Sequence, residues 1–102
     1  KMENSFGETI RKLREEQNLL LRELSAKLEI DASLLSKIET NSRFAKKELV
    51  KKIAKVFNLD YGELLIIWFS DKIVNELKDV DNIEEIFKIA EQKIQLKIKN
   101  GE

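Results

Sequence analysis

The side chains with chemistry to offer in this sequence are its cations. Histidine and cysteine are absent from all 102 residues, which excludes imidazole bases, thiolate nucleophiles, disulfides and the common structural zinc sites together. Aspartate and glutamate are plentiful, yet neither a glycine-rich phosphate loop nor a spaced carboxylate pair accompanies them. The expectation is therefore a protein that is not an enzyme, with no catalytic residue, no metal and no cofactor. Lysine and arginine are unevenly distributed. Residues 1–60 hold 13 of them against 10 acids and residues 61–102 hold 6 against 9, so a formal net charge of zero conceals a basic half and an acidic half. Between 32 and 57 the bias sharpens, because Lys37, Arg43, Lys46, Lys47, Lys51, Lys52 and Lys55 face only Glu39 and Glu48. A cluster of this kind is the electrostatic footprint that a nucleic acid requires.

To act together, those cations need a rigid frame. Proline is absent, glycine occurs only at Gly7, Gly62 and Gly101, and Lys, Glu, Leu and Ile dominate, so local propensity favours helix nearly throughout. Apolar spacing divides the chain. Phe6, Ile10, Leu13 and Gln17 trace one face of a first helix, Leu24 and Leu28 mark a short second, and Leu35 and Ile38 mark a third with Asp31 as its N-cap. Leu49, Ile53, Val56 and Phe57 mark a fourth. Asn58-Leu59-Asp60 breaks the pattern, and Asp60 is placed to cap a fifth helix over Tyr61–Leu77. Within that helix Leu64-Leu65-Ile66-Ile67-Trp68-Phe69 is apolar on every side, and must be covered on every side by a sixth helix, a second subunit or both. After a turn from Lys78 to Asn82, Ile83, Ile86, Phe87, Ala90 and Ile94 repeat at helical spacing and supply the sixth helix. Beyond Leu96 the alternation of lysine with apolar residues predicts fraying. No window reaches 18 uninterrupted apolar residues, and Met2-Glu3-Asn4-Ser5 lacks a basic-then-apolar signal pattern, so no membrane association and a cytoplasmic location are expected.

On a helical wheel with Leu35 and Ile38 inward, Ser33, Lys37 and Thr40 fall on the opposite side, flanked by Ala32 and Ser36. Small residues let such a helix approach a surface closely, and Lys37 reaches a guanine edge or a phosphate. The segment from Leu19 to Asn41, LLLRELSAKLEIDASLLSKIETN, joins two short helices through a turn at Glu29-Ile30-Asp31. With IRKLREEQNL before it and KKIAKVFNLDYGELL after it, from about Phe6 to Leu65, the chain resembles the Cro/phage-repressor (XRE-like) helix-turn-helix regulators. Among chains of this size the resemblance extends to controllers of restriction-modification systems and to antitoxins that repress their own operons.

The resemblance implies an all-α fold: a five-helix repressor-like DNA-binding domain with a helix-turn-helix, extended by a long fifth helix and a sixth C-terminal helix. Residues 1–66 would bind DNA, 67–98 would dimerise and 99–102 would form a tail. The implied function is sequence-specific regulation of transcription by a homodimer on an inverted repeat in double-stranded DNA, with the third helix in the major groove. Ala32, Ser33 and Lys37 then occupy base-reading positions, and Leu34 is placed to meet a thymine methyl. Arg22, Ser36, Thr40, Asn41, Ser42, Arg43, Lys46 and Lys47 are assigned to the sugar-phosphate backbone, while Lys51, Lys52 and Lys55 read as solvated helix surface. Arg14 and Glu39 form a structural ion pair tying the first helix to the end of the third. Ile66, Ile67, Trp68, Phe69, Ile73, Leu77, Ile86 and Phe87 are the expected dimer interface, and the C-terminal helices also offer a surface to a further protein.

The chain departs from the family pattern in three places. Leu20 and Leu21 stand where a capping Ser or Thr and a Gln are usual, leaving Arg22 to reach the phosphates. Glu29 stands at a turn position usually held by glycine, and Phe44-Ala45 replaces a proline-containing loop. These departures keep a rival reading open, an antitoxin-type or protein-interaction module in which the helix-turn-helix is mainly scaffold.

Overall fold

The computed structural model describes residues 4–101; residues 1–3 and 102, the extreme ends of the first and last expected segments, lie outside it. The described chain is all-α, with α1 (Phe6–Glu16), α2 (Leu21–Leu28), α3 (Ala32–Glu39), α4 (Lys47–Phe57), α5 (Tyr61–Leu77) and α6 (Ile83–Lys99). These are the six helices that the apolar spacing predicts, and the chain divides into two compact units after Lys72.

In the first unit α1 opens with a reciprocal capping box. The Ser5 hydroxyl accepts from the Glu8 amide at 3.1 Å, and the Glu8 carboxylate accepts from the Ser5 amide at 3.0 Å. The bond from the Ser5 amide, with a second from the Ser5 hydroxyl at 3.2 Å, holds the Glu8 carboxyl below its ordinary range. Ile10 of α1, Leu24 and Leu28 of α2, Leu35 and Ile38 of α3, and Val50 and Ile53 of α4 share one core, which Phe6, Phe57, Leu64 and Trp68 complete. Among the described residues every buried side-chain nitrogen and oxygen has a hydrogen-bond partner, as a core of this size demands.

Two bonds fasten α5 to that core. The Phe6 amide at the start of α1 donates to the Asp71 carboxylate at 2.7 Å, an anion set at the positive end of a helix dipole. The buried Trp68 indole N–H donates to the Ala45 carbonyl at 2.9 Å. Trp68 is only 5% exposed, which corrects its expected place in an interface between subunits: it belongs to its own chain's core. Ile67 is half-buried against the same core. Leu64 and Trp68 lie one helical turn apart and take the inward face of α5, whereas Ile66, Phe69 and Ile73 remain exposed.

The helix starts differ in chemistry. Asp60 caps α5, its carboxylate accepting from the Glu63 amide at 2.9 Å. Asp31 occupies the N-cap of α3 with extended backbone but makes no side-chain capping bond, contrary to the expected cap. Leu20 has no acceptor to offer α2; instead its own amide donates to the Glu23 carboxylate at 2.7 Å, half of a capping box supplied from inside the helix.

Each of the five turns between helices contains one non-glycine residue in the left-handed region: Asn18, Glu29, Asn41, Asn58 and Asn82, with φ between 54° and 65°. Asparagine tolerates this conformation and glutamate does not. The left-handed geometry at Glu29 is therefore kept without the usual glycine, and the Ile30 amide closes the turn on the Ser25 carbonyl at 3.0 Å. Where α1 passes the end of α3, Gly7 is buried. A Cβ there would fall against the carbonyl oxygens of Ile38 and Glu39 and the side-chain oxygen of Asn41, the last two within 2.9 Å.

The second unit consists of the end of α5 from Ile73, a turn through Asn82, and α6. No residue of α6 is fully buried, and Ile86 and Ala90 are half-buried. The helix continues to Lys99, past Leu96 where fraying is expected. Lys97 and Lys99 stand in its last turn, where cations offset the negative end of the dipole, and Gly101 at φ 75° follows.

Two substitutions measure these constraints. Glu29→Gly should raise stability by about 0.5–1 kcal/mol through relief of the left-handed strain. Urea denaturation at 1 M salt checks this, since the exposed Glu29–Lys52 pair is then screened; an unchanged midpoint would remove strain from the account of this turn. Gly7→Ala should cost about 1–3 kcal/mol despite the better helix propensity of alanine, because the added methyl overpacks two backbone carbonyls. A neutral or stabilising result would show that α1 and α3 separate freely.

Candidate nucleic-acid interface

α2 and α3 form the two arms of a helix-turn-helix, and one ion pair fixes α3 against α1. The Arg14 guanidinium donates from Nε to Glu39 Oε2 at 2.8 Å and from Nη2 to Oε1 at 3.0 Å, a bidentate fork. Its Nη1 donates to the Leu19 carbonyl at 2.9 Å, so the same side chain reaches the segment leading into α2. The side chains of Arg14 and Glu39 are 12% and 4% exposed. The bonds to Glu39 push the Arg14 pKa above its ordinary value.

With Leu35, Ile38 and Glu39 buried, α3 turns Ala32, Ser33, Lys37 and Thr40 to solvent. Ser36 is half-buried at the edge of that row. Leu34 is half-buried against the core and lines an open hollow of about 190 Å³ with Ile30, Ile38, Phe44 and Leu49, which sets it off the outward row. The candidate base-reading face is therefore narrow: two small residues in the first turn and one lysine a turn later.

The segment after α3 is closed by side-chain bonds. Thr40 Oγ1 donates to the Ser36 carbonyl at 3.0 Å and Ser42 Oγ to the Lys37 carbonyl at 3.2 Å. These hydroxyl protons satisfy the last carbonyls of α3, so Thr40 and Ser42 shape the loop as structural caps and give up those bonds if they donate to a phosphate. Asn41 holds its left-handed turn, and Arg43 and Lys46 follow it, exposed.

The basic residues fall into two groups. Lys47 lies over the Phe69 ring at 5.4 Å and Lys51 over the Tyr61 ring at 6.0 Å, while Lys52 pairs with Glu29 at 3.2 Å. Among the described residues no ion pair involves Arg22, Lys37, Arg43 or Lys46. Lys37, Arg43 and Lys46 thus present unneutralised charge from α3 and the loop that follows it, and exposed Arg22 adds its charge from α2. Among the described residues there is also no cluster of acids fit to hold a metal ion, and no helix long and apolar enough to cross a membrane.

Of the residues assigned to the other surface, Ile66, Phe69 and Ile73 are exposed along α5 at i, i+3, i+7 spacing, Phe87 is exposed on α6, and Leu77 and Ile86 are half-buried within the second unit. The site depends on two residues that the sequence reading does not assign to it. Gly7 is visible there as a lone glycine inside a helical pattern, which marks a close approach. Asp71, 65 positions from the amide it holds, leaves no local signal.

A helix, a tight turn and a second helix with an outward small-residue and lysine face define a helix-turn-helix protein. Residues 7–66 match the sequence model of the helix-turn-helix domain family, and the chain belongs to that family. Among solved structures it is similar to the crystal structure of the clp gene regulator ClgR from Corynebacterium glutamicum. The TM-score is 0.56 at 17% identity, and the likeness covers 91% of this chain and 94% of the other, which is agreement of fold. No curated protein matches the sequence.

The Arg14–Glu39 pair gives a direct test of how α3 is held. Arg14→Met or Glu39→Leu alone should cost about 3–5 kcal/mol by leaving a buried charge unpaired, and the double variant should cost less than either. Urea denaturation of the four proteins checks it as a double-mutant cycle, and additive losses would show that the two side chains act independently.

Proposed function

We propose that this protein is a sequence-specific double-stranded-DNA-binding regulator of transcription that acts in the cytoplasm as a homodimer on an inverted repeat. The observation that carries this reading is the outward face of α3. Ala32 and Ser33 add little bulk, Lys37 has no ion-pair partner among the described residues, and Arg43 and Lys46 stand just beyond with their charges free. A major groove admits one α-helix, small residues let it seat deeply, and a lysine there reaches guanine O6 and N7 or a phosphate. Arg22, Arg43 and Lys46 supply the sequence-independent backbone contacts that fix register. The similar structure is that of a gene regulator, in keeping with this use of the fold.

One short helix in one groove gives too little discrimination to select a site within a genome. Two copies on half-sites about one helical turn apart overcome this. Exposed Ile66, Phe69 and Ile73 on α5 and Phe87 on α6 are the residues we assign to pairing. Trp68 is omitted because it serves the core of its own chain.

Selection from random-sequence duplexes at near-physiological salt tests the proposal. Wild-type protein should enrich an inverted repeat. Lys37→Ala should bind that sequence about 5- to 150-fold more weakly, the cost of about 1–3 kcal/mol for a lost base contact. Arg43→Ala should weaken binding to all sequences alike and lower the salt dependence by about one unit of slope. A folded dimer that enriches no sequence would overturn the proposal and leave the helix-turn-helix as a scaffold for protein contacts.

A further inference from the structure

Among the described residues, the last helix presents an apolar stripe that is largely open. Ile83, Phe87, Ala90, Ile94 and Ile98 recur at spacings of four, three, four and four, and so lie on one face. Phe87, Ile94 and Ile98 are 50%, 57% and 64% exposed. Along part of its length the stripe forms one wall of an open groove, with Ile73 and Leu77 from the end of α5 on the other. A row of large apolar side chains with no cover marks an association surface.

Charge along α6 says what covers it. The end that begins the helix is acidic, with Asp81, Glu84, Glu85 and Glu91 against Lys88, and the last eight residues carry Lys93, Lys97 and Lys99 with no acid. A second α6 laid parallel would set acid against acid and base against base. Laid antiparallel, the acidic half of each helix meets the basic half of the other, and the two helix dipoles also oppose. Ala90 is the small residue of the stripe and stands near the middle of the helix, where two antiparallel helices approach most closely. Centred there, Ile86 comes level with the second copy's Ile94, and Lys97 with the second copy's Ile83, one residue from Glu84.

Resting on the homodimer proposed above, we infer that the second copy of this chain docks antiparallel, α6 against α6, about a two-fold axis passing close to Ala90. This makes the α6 contact isologous, with the same residues contributed from both sides. The acidic first half of α6 also disfavours the parallel register.

Because the chain contains no cysteine, single cysteines report the geometry cleanly. Ala90→Cys, Ile83→Cys and Ile98→Cys are each oxidised in the 102-residue protein after circular dichroism shows wild-type helicity, and the mass of the unmodified protein is measured separately by light scattering. A disulfide needs Cα atoms within about 7 Å. In the antiparallel arrangement the two copies of residue 83 are about 21 Å apart along the axis and those of residue 98 about 24 Å, at 1.5 Å per residue. Position 90 should therefore crosslink, and positions 83 and 98 should not. Mixed Ile83→Cys and Lys97→Cys proteins should crosslink to each other. A dimer that crosslinks at 83 and 98 with themselves, or at none of these positions, overturns the antiparallel docking and leaves the homodimer standing; a monomeric wild-type protein overturns both.

Discussion

A carboxylate buried at the C-terminal end of a helix meets two penalties at once, and Glu39 meets both. It is the last residue of α3, where the aligned peptide dipoles carry partial negative charge, and its side chain is withdrawn from water. Arg14 offsets both by offering a planar fork that a lysine lacks. A third donor of the same guanidinium is spent on the Leu19 carbonyl, so one side chain from α1 fixes the end of α3 and the approach to α2. The bare Cα of Gly7 lets the α1 backbone come close to that same end. The orientation of the face bearing Lys37 is thus set from behind, by groups buried between α1 and α3.

The turns impose a second constraint. Without proline to interrupt them, the helices are separated by turns that each hold one left-handed residue: four stand at or just after a helix C-cap, and Asn82 stands at the N-cap of α6. Four are asparagines, whose short polar side chain makes that geometry tolerable. At Glu29 no such relief exists, and the geometry survives because α2 and α3 each bury residues in one core on either side of it. Tertiary packing overrides local preference at the turn that sets the angle between α2 and α3.

Much of this was legible in the sequence. All six helices follow from apolar spacing, α5 begins and ends at the expected residues, and the outward row of α3 follows from turning Leu35 and Ile38 inward. What periodicity could not resolve is which face of an all-apolar run is inside. From Leu64 to Phe69 every wheel position is hydrophobic, so only the fold shows that Leu64 and Trp68 turn inward, with the Trp68 indole bonded to the distant Ala45 carbonyl. Asp31 and Asp60 show the same limit in capping: the residue type suits both N-caps, yet only Asp60 turns its carboxylate onto the helix amides. The clamp of Asp71 on α1 is likewise a product of the folded chain, not of neighbours in sequence.

Charge counting meets a similar boundary. Seven basic residues between 32 and 57 suggest a broad cationic surface, but a charge attracts a polyanion only to the extent that the protein has not already engaged it. Lys52 is held by Glu29, and Lys47 and Lys51 lie over aromatic rings on the side of α4 that meets α5. A cation over a ring keeps its charge but loses the freedom to follow a phosphate. Removing those three from the count leaves Lys37, Arg43 and Lys46 in a contiguous stretch from the middle of α3 to the cap of α4, with Lys55 remote at the far end of α4. The folded structure therefore narrows a diffuse basic segment to the strip that begins at the small residues of α3. Close approach and free charge coincide there, and the proposed reading of a groove by α3 rests on that coincidence.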